Sequence, residues 1–285
     1  MPAPAAKPEA KTEPLIETRD LSVRFGRQQV LRNINLAVPR GQTLVVIGES
    51  GCGKTVLLKS LIGLVRPTKG EVIFDSQNLA TLNDRQLARQ RIRFGFVFQG
   101  AALFDSLTVA QNVAFPLRQH SDFDDARIRQ TVLERLKEVG LPESILYKKP
   151  AELSGGMRKR VGLARAQVMS PEVILYDEPT TGLDPIMSAV INELILRTRS
   201  RHPSGELPVT SIVVTHDMQT VYKVADRVVM LHPLARLGDK EPQVIFDGTP
   251  KELERCTDPR VAQFVRGEAG ERLVEIAEQH LAVNE

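Results

Sequence analysis

Gly48-Glu49-Ser50-Gly51-Cys52-Gly53-Lys54-Thr55 follows the pattern G-x-x-x-x-G-K-[ST]. Leu44-Val45-Val46-Ile47 runs into it, a short apolar run of the kind that forms a strand buried on both faces. Val56-Leu57-Leu58-Lys59-Ser60-Leu61-Ile62 follows it and suits a helix. Strand, glycine-rich turn and helix are the setting in which this pattern binds phosphate. The glycines let successive N–H groups turn inward on phosphate oxygens, and the helix N-terminus adds partial positive charge. Lys54 supplies a full charge for β- and γ-phosphates, and the Thr55 hydroxyl suits Mg2+. The side chains of Glu49, Ser50 and Cys52 are secondary in this reading, because the backbone does the binding.

The chain has 285 residues, 42% of them hydrophobic, enough for one large domain or two small ones. It contains no run of 18 apolar residues, so nothing in it reads as a membrane span. The formal net charge of +3, with acids and bases nearly balanced, argues against a protein built to neutralise nucleic-acid phosphate. The two cysteines are Cys52 and Cys256. Since Cys52 lies inside the glycine-rich loop, a structural disulfide between them is not expected, which fits a reducing cytoplasm.

Residues 1–14, rich in Ala, Pro and Lys, lack the apolar stretch of a secretory signal and read as a disordered tail. Leu15–Arg24 and Gln28–Val38 read as two early strands, with Phe25-Gly26 in the turn between them. Glu71–Phe74 is a third short strand. Asn83 is placed to cap a helix over residues 83–91. Residues 93–98 alternate in polarity up to Gln99-Gly100. Residues 100–150 form a mostly helical block, with helical segments over 107–117 and 122–139, the latter ending at Gly140. Another helix runs from Ser154 to about Val168. Val173–Tyr176 and Ser211–Val214 read as buried strands, with a helix over 185–198 and a loop over 200–208 between them. Val228–Leu231 and Val244–Phe246 are late strands, and 250–281 is helical. Strands interleaved with helices make the chain α/β, with a mostly parallel sheet and extra early strands.

Asp177-Glu178 follows an apolar strand, which delivers two acids to the sheet edge where the glycine-rich loop lies. Asp177 is the candidate for holding Mg2+, and Glu178 for orienting and deprotonating the attacking water. An Asp-Glu pair before a proline would be unremarkable alone; downstream of a P-loop it has a task. Leu153-Ser154-Gly155-Gly156-Met157 lies between the two motifs and opens a helix, a second place suited to phosphate.

With these motifs in this order, residues 15–267 resemble the ABC ATPase family. The resemblance rests on the P-loop, Gln99 of the Q-loop, the Leu153–Met157 signature, Asp177-Glu178 of Walker B, Gly182-Leu183-Asp184 of the D-loop and His216 of the H-loop. It implies an ABC-type P-loop ATPase with a mostly parallel core sheet, an antiparallel β subdomain and a helical subdomain at about 100–168. The catalytic domain would span 15–250 and a C-terminal helical extension 251–285. It further implies that Phe25 stacks on adenine and that Gln99 touches Mg2+ and water and senses a membrane partner. His216 would contact the γ-phosphate. Ser154, Gly155, Gly156 and Asp184 would act on ATP bound by a second copy, so that two nucleotides are sandwiched between two cassettes. Two departures stand out: Met157 replaces the usual Gln, and Thr181-Gly182-Leu183-Asp184 replaces Ser-Ala-Leu-Asp.

Residues 98–109, then Asn112–Leu117, and Asp258-Pro259-Arg260-Val261 with Gln263-Phe264 are similar to cassettes of Mla-type MCE transporters. That similarity implies a permease dimer, an MCE-domain protein outside the membrane, and phospholipid or another hydrophobic cargo. The cassette would be peripheral at the cytoplasmic face of the inner membrane. An importer of polar solutes or a different lipid exporter shares the core motifs. A soluble ABC protein of translation would carry two cassettes, and one of DNA maintenance a long coiled coil between Lys54 and Ser154; neither is present. In the tail, Phe264-Val265, Leu273, Ile276, Ala277 and Leu281 are spaced to form apolar helix faces.

Overall fold

A computed structural model describes residues 13–199 and 208–268. The strands are β1 (Ile16–Phe25), β2 (Gln28–Val38), β3 (Thr43–Gly48), β4 (Lys69–Phe74), β5 (Gln77–Asn78), β6 (Phe94–Val97), β7 (Val173–Asp177), β8 (Thr210–Val214), β9 (Arg227–Leu231) and β10 (Val244–Gly248). The helices are α1 (Lys54–Leu61), α2 (Asp84–Ile92), α3 (Val109–His120), α4 (Asp125–Glu138), α5 (Gly155–Gln167), α6 (Pro185–Arg199), α7 (Met218–Val224), α8 (Pro250–Glu254) and α9 (Pro259–Arg266).

Two sheets result. A four-stranded sheet, β2-β1-β4-β5, is antiparallel throughout. A six-stranded sheet has the order β10-β9-β3-β8-β7-β6, parallel except for β10 at its edge. Both faces of the larger sheet are covered, which is why its strands are continuous apolar runs rather than alternating ones. Val45, Ile47, Ile174, Tyr176 and Val213 belong to the core shared with the helical block and α6. Leu44, Val46, Val173, Leu175 and Ile212 belong to the core shared with α1 and the antiparallel sheet. Each fully buried aliphatic side chain here contributes about 1.5–3 kcal/mol through area removed from water.

Helix starts follow the chemistry of their caps. Asn83 and Thr108 each accept from the N3 amide, with Gln86 and Gln111 reaching back, so both helices begin with a capping box. Thr108 therefore starts α3 at Val109 rather than at 107. Phe25 is the last residue of β1, paired with Gln28, so the turn is Gly26-Arg27 rather than Phe25-Gly26. The expected helix after 250 is broken within the described residues. Pro250 and Pro259 are each the first residue of a separate short helix, behind caps at Thr249 and Asp258. Leu253 and Val261 are buried in the core of the larger sheet. Of the expected tail over 1–14 and loop over 200–208, residues 1–12 and 200–207 lie outside the described residues, as do the apolar positions at 273–281. No described helix is long and apolar enough to cross a membrane, and both cysteines are free.

A charge network joins the two sheets. Arg93, just before β6, bonds Glu172 just before β7 (Nε to Oε1, 2.6 Å) and Asp75 just after β4 (Nη2 to Oδ2, 2.6 Å). Arg40, just after β2, binds the same two acids. The hydrogen bond from Arg93 is the main cause holding the Glu172 carboxyl below its ordinary range. A depressed acid stabilises the fold above its unfolded pKa, and that stabilisation is lost as pH falls through the folded value. Glu172→Gln is expected to cost about 1 kcal/mol at pH 7, as befits a half-exposed network. In urea titrations the gap between variant and parent should shrink once pH falls well below the usual Glu range of about 4.

Candidate functional site

The glycine-rich loop joins β3 to α1 with little freedom. A Cβ on Gly48 would lie 2.3 Å from the Leu231 carbonyl oxygen, so only glycine lets β3 end against β9. Gly53 precedes α1 in a left-handed conformation, and no side chain caps that helix start. An uncapped helix N-terminus behind such a loop is suited to an anion. Lys54 is buried, its Nζ donating to the carbonyls of Gly48 (2.7 Å) and Glu49 (2.9 Å). The Cys52 side chain packs in the core beside α1, and burial pushes its thiol pKa up. Ser50 and Gly51 lie exposed on the outer turn of the loop.

Three further parallel strands of the same sheet, β8, β7 and β6, deliver the other candidates to the same edge. Asp177 ends β7, and Thr55 Oγ1 donates to its Oδ1 at 2.9 Å. Burial raises the Asp177 pKa above its ordinary value. Two hard oxygen donors side by side, one a desolvated carboxylate, fit Mg2+, whose charge would offset that desolvation. Glu178 follows with φ near +50°, unfavourable for a side chain that carries a Cβ. Its Oε2 accepts from Thr181 Oγ1 at 3.1 Å and lies 2.8 Å from His216 Nδ1. His216 comes just after β8 and is exposed. The structure thus brings His216 to the acid itself, a pairing not read from the sequence. Gln99 stands exposed in the turn beyond β6, whose Val97 pairs with Tyr176 next to Asp177.

The signature forms a second cluster with the D-loop. Ser154 caps α5 by accepting from the Met157 N–H at 3.2 Å. Asp184 caps α6 in the same way, Oδ1 accepting from Met187 N–H at 2.9 Å. The two helix starts touch: a Cβ on Gly156 would meet Met187 Cε at 2.9 Å, and one on Gly155 would be within 4.0 Å of Leu183. Small residues in the signature therefore let the D-loop close on it. Phe25 is half exposed at the end of β1, as a ring free to stack would be.

Two residues missed by the sequence reading complete the surroundings. Gln243, almost wholly buried, donates from Nε2 to the carbonyls of Cys52 and Val30 (both 3.0 Å) and accepts from the Arg32 N–H (2.8 Å). It ties the back of the glycine-rich loop to β2. Nothing around Pro242-Gln243 in the sequence marks it. Lys159 is buried in α5, and its Nζ donates to the Glu178 carbonyl at 3.1 Å. Desolvation lowers its pKa to about 8. A lysine among Arg158 and Arg160 reads as surface charge until the fold turns it inward.

Gln243→Leu leaves three backbone groups without their partner at about 1–3 kcal/mol for each buried one. We expect a loss of at least 2 kcal/mol in denaturant titrations and, by calorimetry, weaker ATP binding than in the parent chain.

Comparison with known proteins agrees with this geometry. The family model described as "ABC transporter" matches residues 31–181. The "Intermembrane phospholipid transport system ATP-binding protein MlaF" of Haemophilus influenzae is 40% identical over 255 residues, covering 90% of this chain and 91% of that protein. The "Probable ribonucleotide transport ATP-binding protein mkl" of Mycobacterium tuberculosis H37Rv is 38% identical over 266 residues, covering 92% of this chain and 70% of that protein. An ATP-binding cassette solved as a dimer in a post-hydrolysis state with ADP and Pi superposes with a TM-score of 0.70 at 30% identity, over 82% of this chain and 98% of that one. From the P-loop on β3 to His216 beyond β8, the chain belongs to the ATP-binding subunits of the ABC transporter family.

Proposed function

We propose that the chain hydrolyses ATP, with Mg2+, to drive a membrane transporter that moves phospholipid or another hydrophobic cargo across a bacterial envelope. Two copies would act together with an integral membrane permease and an MCE-domain protein, at the cytoplasmic face of the inner membrane. In this reading residues 15–250 are the ATPase domain, about 100–168 its helical subdomain, and 251–285 an extension. One observation carries the ATPase reading: the P-loop, Gln99, Asp177-Glu178 and His216 all lie at the C-terminal ends of adjacent parallel strands. Ligands of open α/β sheets bind at that edge. The cargo reading is supported by the name of the Haemophilus relative, matched along nearly its whole length.

The chain's residues divide the chemistry. Lys54 and the loop amides hold the β- and γ-phosphates, and Phe25 stacks on adenine. Thr55 and Asp177 would hold Mg2+ with Gln99 near it; the ion would neutralise phosphate charge. Thr181 and His216 fix Glu178 through Oε2. The other oxygen, Oε1, is then the one to take the proton of the attacking water as its oxygen bonds to the γ-phosphorus and the bond to ADP breaks. Ser154, Gly155, Gly156 and Asp184 serve the nucleotide of the second copy.

The permease would dock beside Gln99. A groove of about 440 Å³ opens there, lined by Phe98, Phe104, Phe115, Pro116, Arg165 and Met169 among others. Phe104 and Phe115 are 43% and 39% exposed with ring centroids 4.8 Å apart, an apolar surface that calls for a covering partner. Buried Asn112 builds its rim, donating to the carbonyls of Phe104, Leu107 and Thr108 and accepting from the Phe104 N–H.

Glu178→Gln is expected to retain ATP binding and to lose about 10²–10⁴-fold in hydrolysis, read by phosphate release. Phe104→Asp should keep ATP binding and weaken capture of the permease about tenfold or more, as loss of an aromatic anchor does. The whole assembly in vesicles tests the cargo: ATP-dependent transfer of labelled phospholipid supports the reading, whereas transfer of ribonucleotide alone overturns it.

A further inference from the structure

Glu178 is held by more than its carboxylate. Its backbone sits in the left-handed region at φ near +50°, a conformation that persists only where neighbours enforce it. On one side its N–H donates to the Val214 carbonyl of β8 at 2.9 Å. On the other, its carbonyl accepts a long bond from the Thr181 N–H (3.3 Å) and a shorter one from Lys159 Nζ (3.1 Å). The Lys159 bond is the charge-assisted one of the three and the stronger in kind. It also comes from a different part of the molecule. Lys159 lies on α5, the helix whose first turn is capped by Ser154 and packed against the D-loop through Gly156. A buried ammonium is costly unless its bonds are made, and Lys159 makes this one to the backbone carbonyl of the candidate base itself.

We propose that Lys159 is a positioning residue for hydrolysis: its ammonium ties the signature helix to the Glu178 carbonyl and so sets the orientation of the base according to where α5 stands. The inference rests on Glu178 being the base. Lys159 is not one of the groups assigned to nucleotide or Mg2+. It acts through Glu178, on the ATP bound by its own P-loop, while Ser154 on the same helix serves the ATP of the second copy. One helix thereby reports on the partner's nucleotide and adjusts the base at its own.

The test uses the full chain, alone and in its transporter complex, and four variants: Lys159→Met, Lys159→Arg, Glu178→Gln, and Lys159→Met with Glu178→Gln. Lys159→Met keeps the length of the stem and removes the donor. It should lower kcat about tenfold, the worth of one charge-assisted hydrogen bond, with KM and ATP affinity within twofold of the parent. Lys159→Arg restores a donor and should recover most of that rate. In single-turnover measurements the double variant should hydrolyse no more slowly than Glu178→Gln alone, because a residue acting only through the base has nothing left to position. A parent-like kcat in Lys159→Met overturns the proposal. So does a loss of ATP binding in that variant, which would make the side chain a support for the fold. A full further tenfold loss in the Glu178→Gln background overturns it too. If Glu178→Gln itself hydrolyses ATP at the parent rate, the assignment of the base fails, and that result is distinct from any outcome for Lys159.

Discussion

The parallel pairing of β3, β8, β7 and β6 is the constraint on which the rest depends. In a parallel sheet every strand ends on the same side, so whatever follows the strands meets there. Here that places the glycine-rich loop beside Asp177, His216 and Gln99 with no special device. The bond from Thr55 to Asp177 expresses the constraint at atomic scale: residues 122 positions apart meet because β8 alone separates their strands. Parallel strands require crossovers, and the crossovers are the helices that cover both faces. The apolar runs that form the strands and the helices that bury them are therefore one requirement seen twice.

Order at this edge is supported from the opposite one and from behind. At the strand starts, Arg93 and Arg40 lock Glu172 and Asp75 and fix the antiparallel sheet against the parallel one. Behind the glycine-rich loop, Gln243 joins β2 to the loop backbone through three hydrogen bonds. From the side, Arg236 pairs with Glu49 of the loop at 2.9 Å. The loop itself, rich in glycine, has few side chains with which to pack. Its rigidity must come from neighbours, and these are residues far away in the chain.

The signature helix has the opposite character. Its first turn is capped by its own Ser154 and touches the D-loop through glycine, while its deeper face reaches the back of Glu178 through Lys159. Motifs that are separate in the chain are thus in direct contact within one copy. That arrangement suits an enzyme in which closure of two copies and hydrolysis in each must keep step.

Local chemistry was enough for much of this. The apolar run before Gly48 and the helix-forming run after Thr55 mark a β-loop-α unit by themselves, because phosphate binding of this kind uses backbone and needs little beyond glycine, Lys54 and Thr55. Asn83 and Ser154 declared their helix starts for the same reason: a cap bonds amides two or three residues away. The ordered motifs likewise placed Asp177, Glu178 and His216 at strand ends. What the sequence could not determine depends on which residues meet across the chain. Gln243 and Lys159 look like any polar residues until the packing of β10 and α5 removes them from water. The pairing of His216 with Glu178 follows from the adjacency of β7 and β8, not from spacing along the chain. The left-handed backbone of Glu178 is bonded to Val214 on one side and to Thr181 and Lys159 on the other, and no local pattern encodes a conformation that its own residue disfavours.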